Sequence, residues 1–194
     1  EYLVIGNMTS VEEGLYSVDF SLLNVTSGKP VLRHRVTGSS SQFRNIAHSI
    51  SDRVFEAITG IHGIFSTRIV YVTATRSEER ELYRLHVADA DGAREELILQ
   101  SDQPIMSPAW APDSKEIAYV SFETGRPAIF RQNLKTAARE QLTDFKGLNG
   151  APAWSPDGQY LALVLSKDGN PEIYLLNLQS KELKRLTRHF AIDT

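Results

Sequence analysis

The chain has 194 residues and a formal net charge of −3, with 41% hydrophobic and 23% charged residues, which is the composition of an ordinary globular protein. It contains no run of five Lys or Arg residues, so neither a nucleic-acid surface nor a polybasic membrane patch is expected. The absence of cysteine excludes disulfides, thiolate zinc sites and thiol nucleophiles. No apolar stretch approaches the length of about 18 residues that a membrane span needs. The composition therefore favours a protein or small-molecule partner.

Residues 1–63 predict the element order β-β-β-α. Apolar or alternating patterns cover residues 2–6, 15–23 and 30–36, and a turn rich in Asn, Ser and Gly separates the last two. From Phe43 onward the apolar positions recur at spacings of three and four, as in an amphipathic helix, and Gly60 stands where such a helix would end. We expect residues 1–63 to be part of a small α/β domain. Because the chain opens directly on a strand, we also expect its N-terminus to be truncated.

An internal repeat begins after residue 63. A shift of 44 residues places Pro108-Ala-Trp-Ala-Pro-Asp113 on Pro152-Ala-Trp-Ser-Pro-Asp157, and 14 of the 36 positions from 108 to 143 are identical to their counterparts. A weaker copy is visible earlier, because residues 68–72 resemble residues 116–120. The repeat array is therefore predicted to cover residues 64–194, with boundaries near 64, 104 and 148.

Each repeat contains four short strand patterns, which is the size of one β-propeller blade. Propellers close with about four to eight blades, so two to three blades predict an incomplete β-propeller. Trp110 and Trp154 could be ligand-stacking platforms, but one tryptophan at the same position of each repeat is typical of packing between blades. Asp113 and Asp157 resemble an acid pair, yet each follows a proline in a tight turn, where aspartate bonds local backbone N–H groups.

No catalytic or metal-binding motif is present. Gly-x-Ser-x-Gly, His-Glu-x-x-His, Walker and Gly-x-Gly-x-x-Gly patterns are all absent. The five histidines are scattered over different predicted elements without an i, i+4 pair. We therefore predict no enzymatic activity, no cofactor and no metal.

The loops before the innermost strand of each blade are the candidate binding residues. They cover residues 103–107, 146–150 and 191–194, which are equivalent positions in successive repeats. Loops of successive blades converge on one face of a propeller, so these three should border the same mouth.

A family resemblance rests on five segments: 50–60, Phe65-Ser-Thr-Arg-Ile-Val-Tyr-Val72, 106–113, 117–123 and 149–158. They resemble the TolB family of the Tol-Pal envelope system of Gram-negative bacteria. The resemblance implies a non-catalytic periplasmic scaffold, with a six-bladed propeller after an α/β domain, that serves outer-membrane integrity and cell division. It implies that the propeller binds the peptidoglycan-associated lipoprotein Pal, that TolA reads an N-terminal segment absent here, and that colicins exploit the same face.

Carried over by position, the resemblance assigns Pal contacts to eight residues of the predicted mouth. They are Met106, Ser107, Leu148, Asn149, Gly150, Ala151, Asp193 and Thr194. A second hypothesis stays open, because similar Trp-x-Pro-Asp-Gly blades also occur in propellers that gate prolyl-oligopeptidase-like serine hydrolases.

Overall fold

The computed structural model describes residues 1–78 and 80–194, which form two compact units. Unit 1 comprises residues 1–68 together with the short stretch 89–93. Unit 2 comprises residues 69–88 and 94–194. No helix within the described residues is both long enough and apolar enough to cross a bilayer.

Unit 1 is a three-stranded antiparallel sheet followed by one helix. The strands are β1 (Tyr2–Glu12), β2 (Leu15–Asn24) and β3 (Pro30–Ser39), in the order β1-β2-β3, and a 3-10 turn (Ser40–Gln42) leads into α1 (Phe43–Thr59). The predicted order is therefore present. Strand β1 extends to Glu12, well beyond the predicted apolar run, because its second half also pairs with β2, with a register shift between Ser10 and Glu12.

The core of unit 1 lies where α1 meets the sheet. Phe20, Leu22 and Ile46 are buried, and the rings of Tyr16 and Phe43 meet edge to face with their centroids 5.0 Å apart. At the end of the helix Gly60 has a φ of +72° and donates its N–H to a carbonyl of the preceding turn. This left-handed residue ends α1 as the sequence predicted.

Unit 2 contains three antiparallel sheets whose strands follow one another in chain order. The first blade consists of β4 (Arg68–Arg76), β5 (Glu81–Asp89) and β6 (Glu96–Ser101). The second blade consists of β7 (Ile105–Trp110), β8 (Glu116–Ser121), β9 (Ala128–Asn133) and β10 (Arg139–Gln141). The third blade consists of β11 (Asn149–Trp154), β12 (Tyr160–Leu165), β13 (Glu172–Asn177) and β14 (Leu183–Arg185).

Apolar side chains fill the spaces between neighbouring blades. One cluster joins the first and second blades through Leu85, Ile117 and Tyr119. A second cluster joins the second and third blades and contains Ala118, Val120, Ile129, Leu161, Leu163, Leu165, Tyr174, Leu176 and Leu178. Alternate residues of a strand point to opposite faces, so β8 supplies both clusters from its two sides. Both faces of the second blade are thus covered by apolar neighbours.

The repeated tryptophans take part in this packing, although only one of them is hydrogen bonded. The indole N–H of Trp154, in the third blade, donates to the carbonyl of Ala109 in the second blade at 3.2 Å. The indole nitrogen of Trp110 is buried and has no hydrogen-bond partner within the described residues. Both rings pack against the clusters between blades, as the sequence predicted.

This difference predicts unequal effects of the same substitution. Trp154→Phe should lower the free energy of unfolding by about 0.5–1.5 kcal/mol more than Trp110→Phe, because only Trp154 loses a hydrogen bond. Urea unfolding of the two variants measures the difference, and each serves as the packing control for the other. Equal losses would mean that the inter-blade hydrogen bond contributes nothing.

The repeated aspartates are turn residues. The carboxylate of Asp113 accepts the N–H of Lys115 at 3.0 Å, and that of Asp157 accepts the N–H of Gln159 at 3.0 Å. Each side chain therefore satisfies the backbone of its own hairpin.

Candidate functional site

The innermost strands of the second and third blades both begin with a β-bulge. Pairing with the next strand shifts between Met106 and Ala109 in β7, and between Gly150 and Ala153 in β11. Inside the bulges, Ser107 and Ala151 have φ values of +49° and +47°, a left-handed conformation that costs free energy for residues other than glycine. Bulges redirect side chains, and such conformations concentrate at binding and catalytic sites. The repeat thus builds the same unusual backbone twice at one end of the blades.

A pocket of about 180 Å³ lies beside these two bulges. Its lining consists of Met106, Ser107, Val120, Phe122, Pro127, Leu148, Asn149, Gly150, Ala151, Val164 and Thr194. Seven of the eight residues predicted for the mouth are in this set, and Asp193 is the exception. The structure therefore brings together loop residues that are up to 88 positions apart in the sequence.

The floor of the pocket was missed by the sequence analysis. Val120 and Val164 are the last residues but one of the second strands of their blades and are buried, and Phe122 and Pro127 belong to the turn that follows β8. The available signal was their position on the strand that pairs with the innermost strand after each mouth loop. The floor residues are apolar, so the pocket is suited to an apolar group.

The rim of the pocket carries two exposed apolar side chains. Met106 is 51% exposed and Leu148 is 40% exposed, and they come from equivalent ends of successive blades. Exposed apolar side chains next to an apolar pocket are typical of a site that another molecule covers.

Asn149 stabilises the loop that presents Leu148. Its side chain is fully buried, accepts the N–H of Phe145 at 3.2 Å, and donates to the carbonyls of Phe145 at 2.7 Å and Gly147 at 3.2 Å. All of these hydrogen bonds lie within the loop. Asn149 is one of the residues to which the resemblance assigns a Pal contact; in the structure its amide group fixes the loop.

Ser166 fixes the same loop from the third blade. Its hydroxyl oxygen accepts the N–H of Leu148 at 2.7 Å, and its own N–H donates to the carbonyl of Leu148 at 3.1 Å. Gly147 precedes with a φ of +87°, so the chain reverses directly before Leu148. The backbone of Leu148 is therefore held on both sides while its side chain stays exposed.

The segment that ends at Thr194 contacts a buried carboxylate. Glu172 is 1% exposed, and the Thr187 hydroxyl, the His189 N–H and the Arg185 guanidinium hold its pKa down at about 2 in spite of burial. A depressed carboxyl pKa means that the charged form stabilises the fold. This stabilisation is present above the ordinary carboxyl pKa and is lost as the pH falls towards 2.

Among the described residues, one group in unit 1 brings three potential metal ligands together. Atoms of His48, Asp89 and Asp91 lie within 4.8 Å of one another. However, the Arg44 guanidinium already forms an ion pair with Asp91, and the carbonyl of Asp89 accepts the Gly92 N–H inside a hairpin turn. Arginine thus supplies the positive charge that a metal ion would bring, and we assign no metal site here.

Comparison with protein families decides what kind of propeller this is. The family model PD40, the TolB beta propeller domain, matches residues 55–194. This chain belongs to the TolB β-propeller family. The resemblance inferred from the five sequence segments is confirmed, and so is the fold class of an incomplete propeller preceded by part of an α/β domain.

Individual TolB proteins are similar over most of the chain. The Tol-Pal system protein TolB of Hahella chejuensis is 52% identical over 151 residues, which are 77% of this chain and 35% of that protein. The TolB of Pseudomonas syringae pv. syringae is 54% identical over 152 residues, or 78% of this chain and 35% of that protein. The crystal structure of TolB from Acinetobacter baumannii has a TM-score of 0.88 and 44% identity, covering 99% of this chain and 48% of its own. The chain spans about a third of the length of these curated TolB relatives.

Proposed function

We propose that this chain is part of a non-catalytic periplasmic scaffold of the Tol-Pal system, and that it binds the lipoprotein Pal through the mouth pocket. The observation that supports this proposal best is the convergence of seven predicted mouth residues on one apolar pocket. The similar proteins are named as Tol-Pal system proteins, which supports the system but not the particular contact. Outer-membrane integrity and cell division are the processes that such a scaffold would serve.

The geometry of the pocket suits a protein ligand. Protein interfaces depend on a few apolar or aromatic side chains that enter preformed pockets surrounded by less important contacts. Here the backbone of the loop that carries Leu148 is fixed before any partner arrives, so ordering this loop on binding would cost little entropy. A partner side chain on the pocket floor would also cover Met106 and Leu148.

Two further elements of the proposal concern other partners. TolA would be linked through a segment outside this chain, and colicins would use the same face of the propeller. Family membership favours this scaffold over a propeller that gates a serine hydrolase, since the matching family model is that of the TolB propeller.

A charge at the rim tests the proposed contact. Met106→Glu and Leu148→Glu should each weaken Pal binding by about 30-fold or more, because a carboxylate at a desolvated apolar contact removes a central contribution. Both side chains are exposed, so the fold should tolerate the changes. Isothermal titration of purified Pal into each variant measures the dissociation constant.

Leu97→Glu is the matched control, because Leu97 is 54% exposed in the first blade and does not line the pocket. It should bind Pal like the wild type. Unchanged affinity in both rim variants would show that Pal does not use this pocket.

A further inference from the structure

The segment that reaches the pocket from the third blade is tied to one buried acid. Glu172 is the first residue of β13, and its carboxylate receives three hydrogen bonds. Arg185 donates from its guanidinium at 2.8 Å, Thr187 from its hydroxyl at 2.6 Å and His189 from its backbone N–H at 3.0 Å. All three donors belong to residues 185–189, and His189 is five residues before the pocket residue Thr194.

The next residues are fixed to the turn before β13. The amide of Asn170 donates to the carbonyls of His189, at 2.9 Å, and Ala191, and the N–H of Asp193 donates to the carbonyl of Pro171 at 3.2 Å. Along the chain, these contacts begin at His189, where the contacts with the carboxylate end. Residues 185–193 therefore lie along one short stretch of the third blade, from Asn170 to Glu172.

The second blade has no equivalent of this acid. Ala128 stands where the repeat would place it, 44 residues before Glu172. Both blades have the threonine. The hydroxyl of Thr143 accepts the N–H of Ile129 in β9 at 3.0 Å, and the hydroxyl of Thr187 accepts the N–H of Ile173 in β13 at 2.9 Å. In the second blade the following loop is fixed instead by the buried amide of Asn149. The loop before β11 and the segment that leads to Thr194 are thus each fixed by a buried polar side chain, an amide in the first and a carboxylate in the second.

We infer that Glu172 is a positioning residue of the mouth: its buried carboxylate fixes residues 185–189 and, together with the contacts of Asn170 and Pro171, keeps Thr194 on the pocket. A buried carboxylate requires its donors, and here every donor comes from the segment that must be held. Removing the acid would leave the Thr187 hydroxyl and the His189 N–H without their acceptor, whereas the Arg185 guanidinium would keep the Thr187 carbonyl and Asp168. The consequence for a ligand rests on the function proposed above, whereas the consequence for the segment does not.

Amide hydrogen exchange of Glu172→Ala and Glu172→Gln tests this role. Loss of charge-assisted hydrogen bonds should accelerate exchange of residues 186–193 by about 10- to 100-fold in Glu172→Ala. Glu172→Gln should give a smaller increase, because its amide oxygen can still accept one of the donors. Exchange in β8 and β9 of the second blade should stay unchanged. Glu182→Gln is the matched control, because Glu182 is exposed in the turn before β14 and should leave all exchange rates as in the wild type.

Titration of purified Pal into the same variants separates the two proposals. Weaker binding by Glu172→Ala, partly restored in Glu172→Gln, supports the positioning role. Unchanged exchange in residues 186–193, an equal increase in all three blades, or local loosening with unchanged Pal affinity would each overturn it. If the wild-type protein does not bind Pal, the proposed function fails, and the exchange rates alone then decide whether Glu172 fixes the segment.

Discussion

Replacing Gly147 by alanine is expected to weaken Pal binding by at least about tenfold and to lower the free energy of unfolding by about 1–3 kcal/mol. Gly147 has a φ of +87°, which an L-residue adopts only with strain. A Cβ atom at this position would also lie closer than 3.0 Å to the hydroxyl of Ser166. That hydroxyl is the acceptor for the N–H of Leu148, so the added methyl group displaces the contact that presents the rim side chain.

Gly92→Ala separates the two causes. Gly92 has a similar φ of +81°, but a Cβ atom there would meet nothing within 4 Å. The control therefore includes the backbone strain and omits the steric conflict with Ser166. It should lose stability without losing affinity for Pal, as measured by denaturant unfolding and calorimetric titration. If Gly147→Ala binds Pal as tightly as Gly92→Ala does, the fixed loop is unimportant for binding.

The mouth could be predicted because the repeat makes distant residues equivalent. Once Pro108 and Pro152 are aligned, the residues before them must border the same end of the blades, and the structure places Met106 and Leu148 on one pocket. The bulges at Ser107 and Ala151 were not predictable, since neither residue type favours a positive φ. The positive φ belongs to the β-bulge of the folded blade, and no local sequence pattern indicates this bulge.

The polar residues that shape the mouth were harder to interpret. Asparagine is mostly exposed in folded proteins, so the sequence could not show that Asn149 is buried inside its own loop. Glu172 lies in a strand pattern, and only tertiary structure brings Thr187 and His189 to its carboxylate. Buried polar groups depend on partners distant in sequence, which is why composition and periodicity do not reveal them.

The pocket floor shows a related ambiguity. Val120 and Val164 lie in continuous apolar runs typical of buried strands, and Val120 belongs to the cluster between the second and third blades. The same residues also line the pocket. A strand pattern indicates which positions are apolar, but it does not indicate which of these residues line a cavity. The pocket and the core between the blades are therefore continuous, and a substitution in one should alter the packing of the other.

Leu163→Ala tests this continuity and is expected to have the largest effect on stability. Leu163 is 1% exposed and belongs to the cluster between the second and third blades. Truncation of a buried leucine removes apolar contacts and leaves a cavity, which costs about 2–5 kcal/mol of unfolding free energy. Urea unfolding should show a lower midpoint with an unchanged slope. Leu97→Ala, at an exposed position of the first blade, should change stability by no more than about 0.5 kcal/mol.

The same variant should also bind Pal more weakly at temperatures where it remains folded. Leu163 belongs to the same cluster as Val120, which lines the pocket, and the pocket walls come from both blades that the cluster joins. Partial collapse of the cavity shifts these walls, since close-packed interiors transmit small displacements. A loss of stability with unchanged Pal affinity would show that the geometry of the mouth does not depend on packing in the core between the blades. Rim contacts alone would then account for binding.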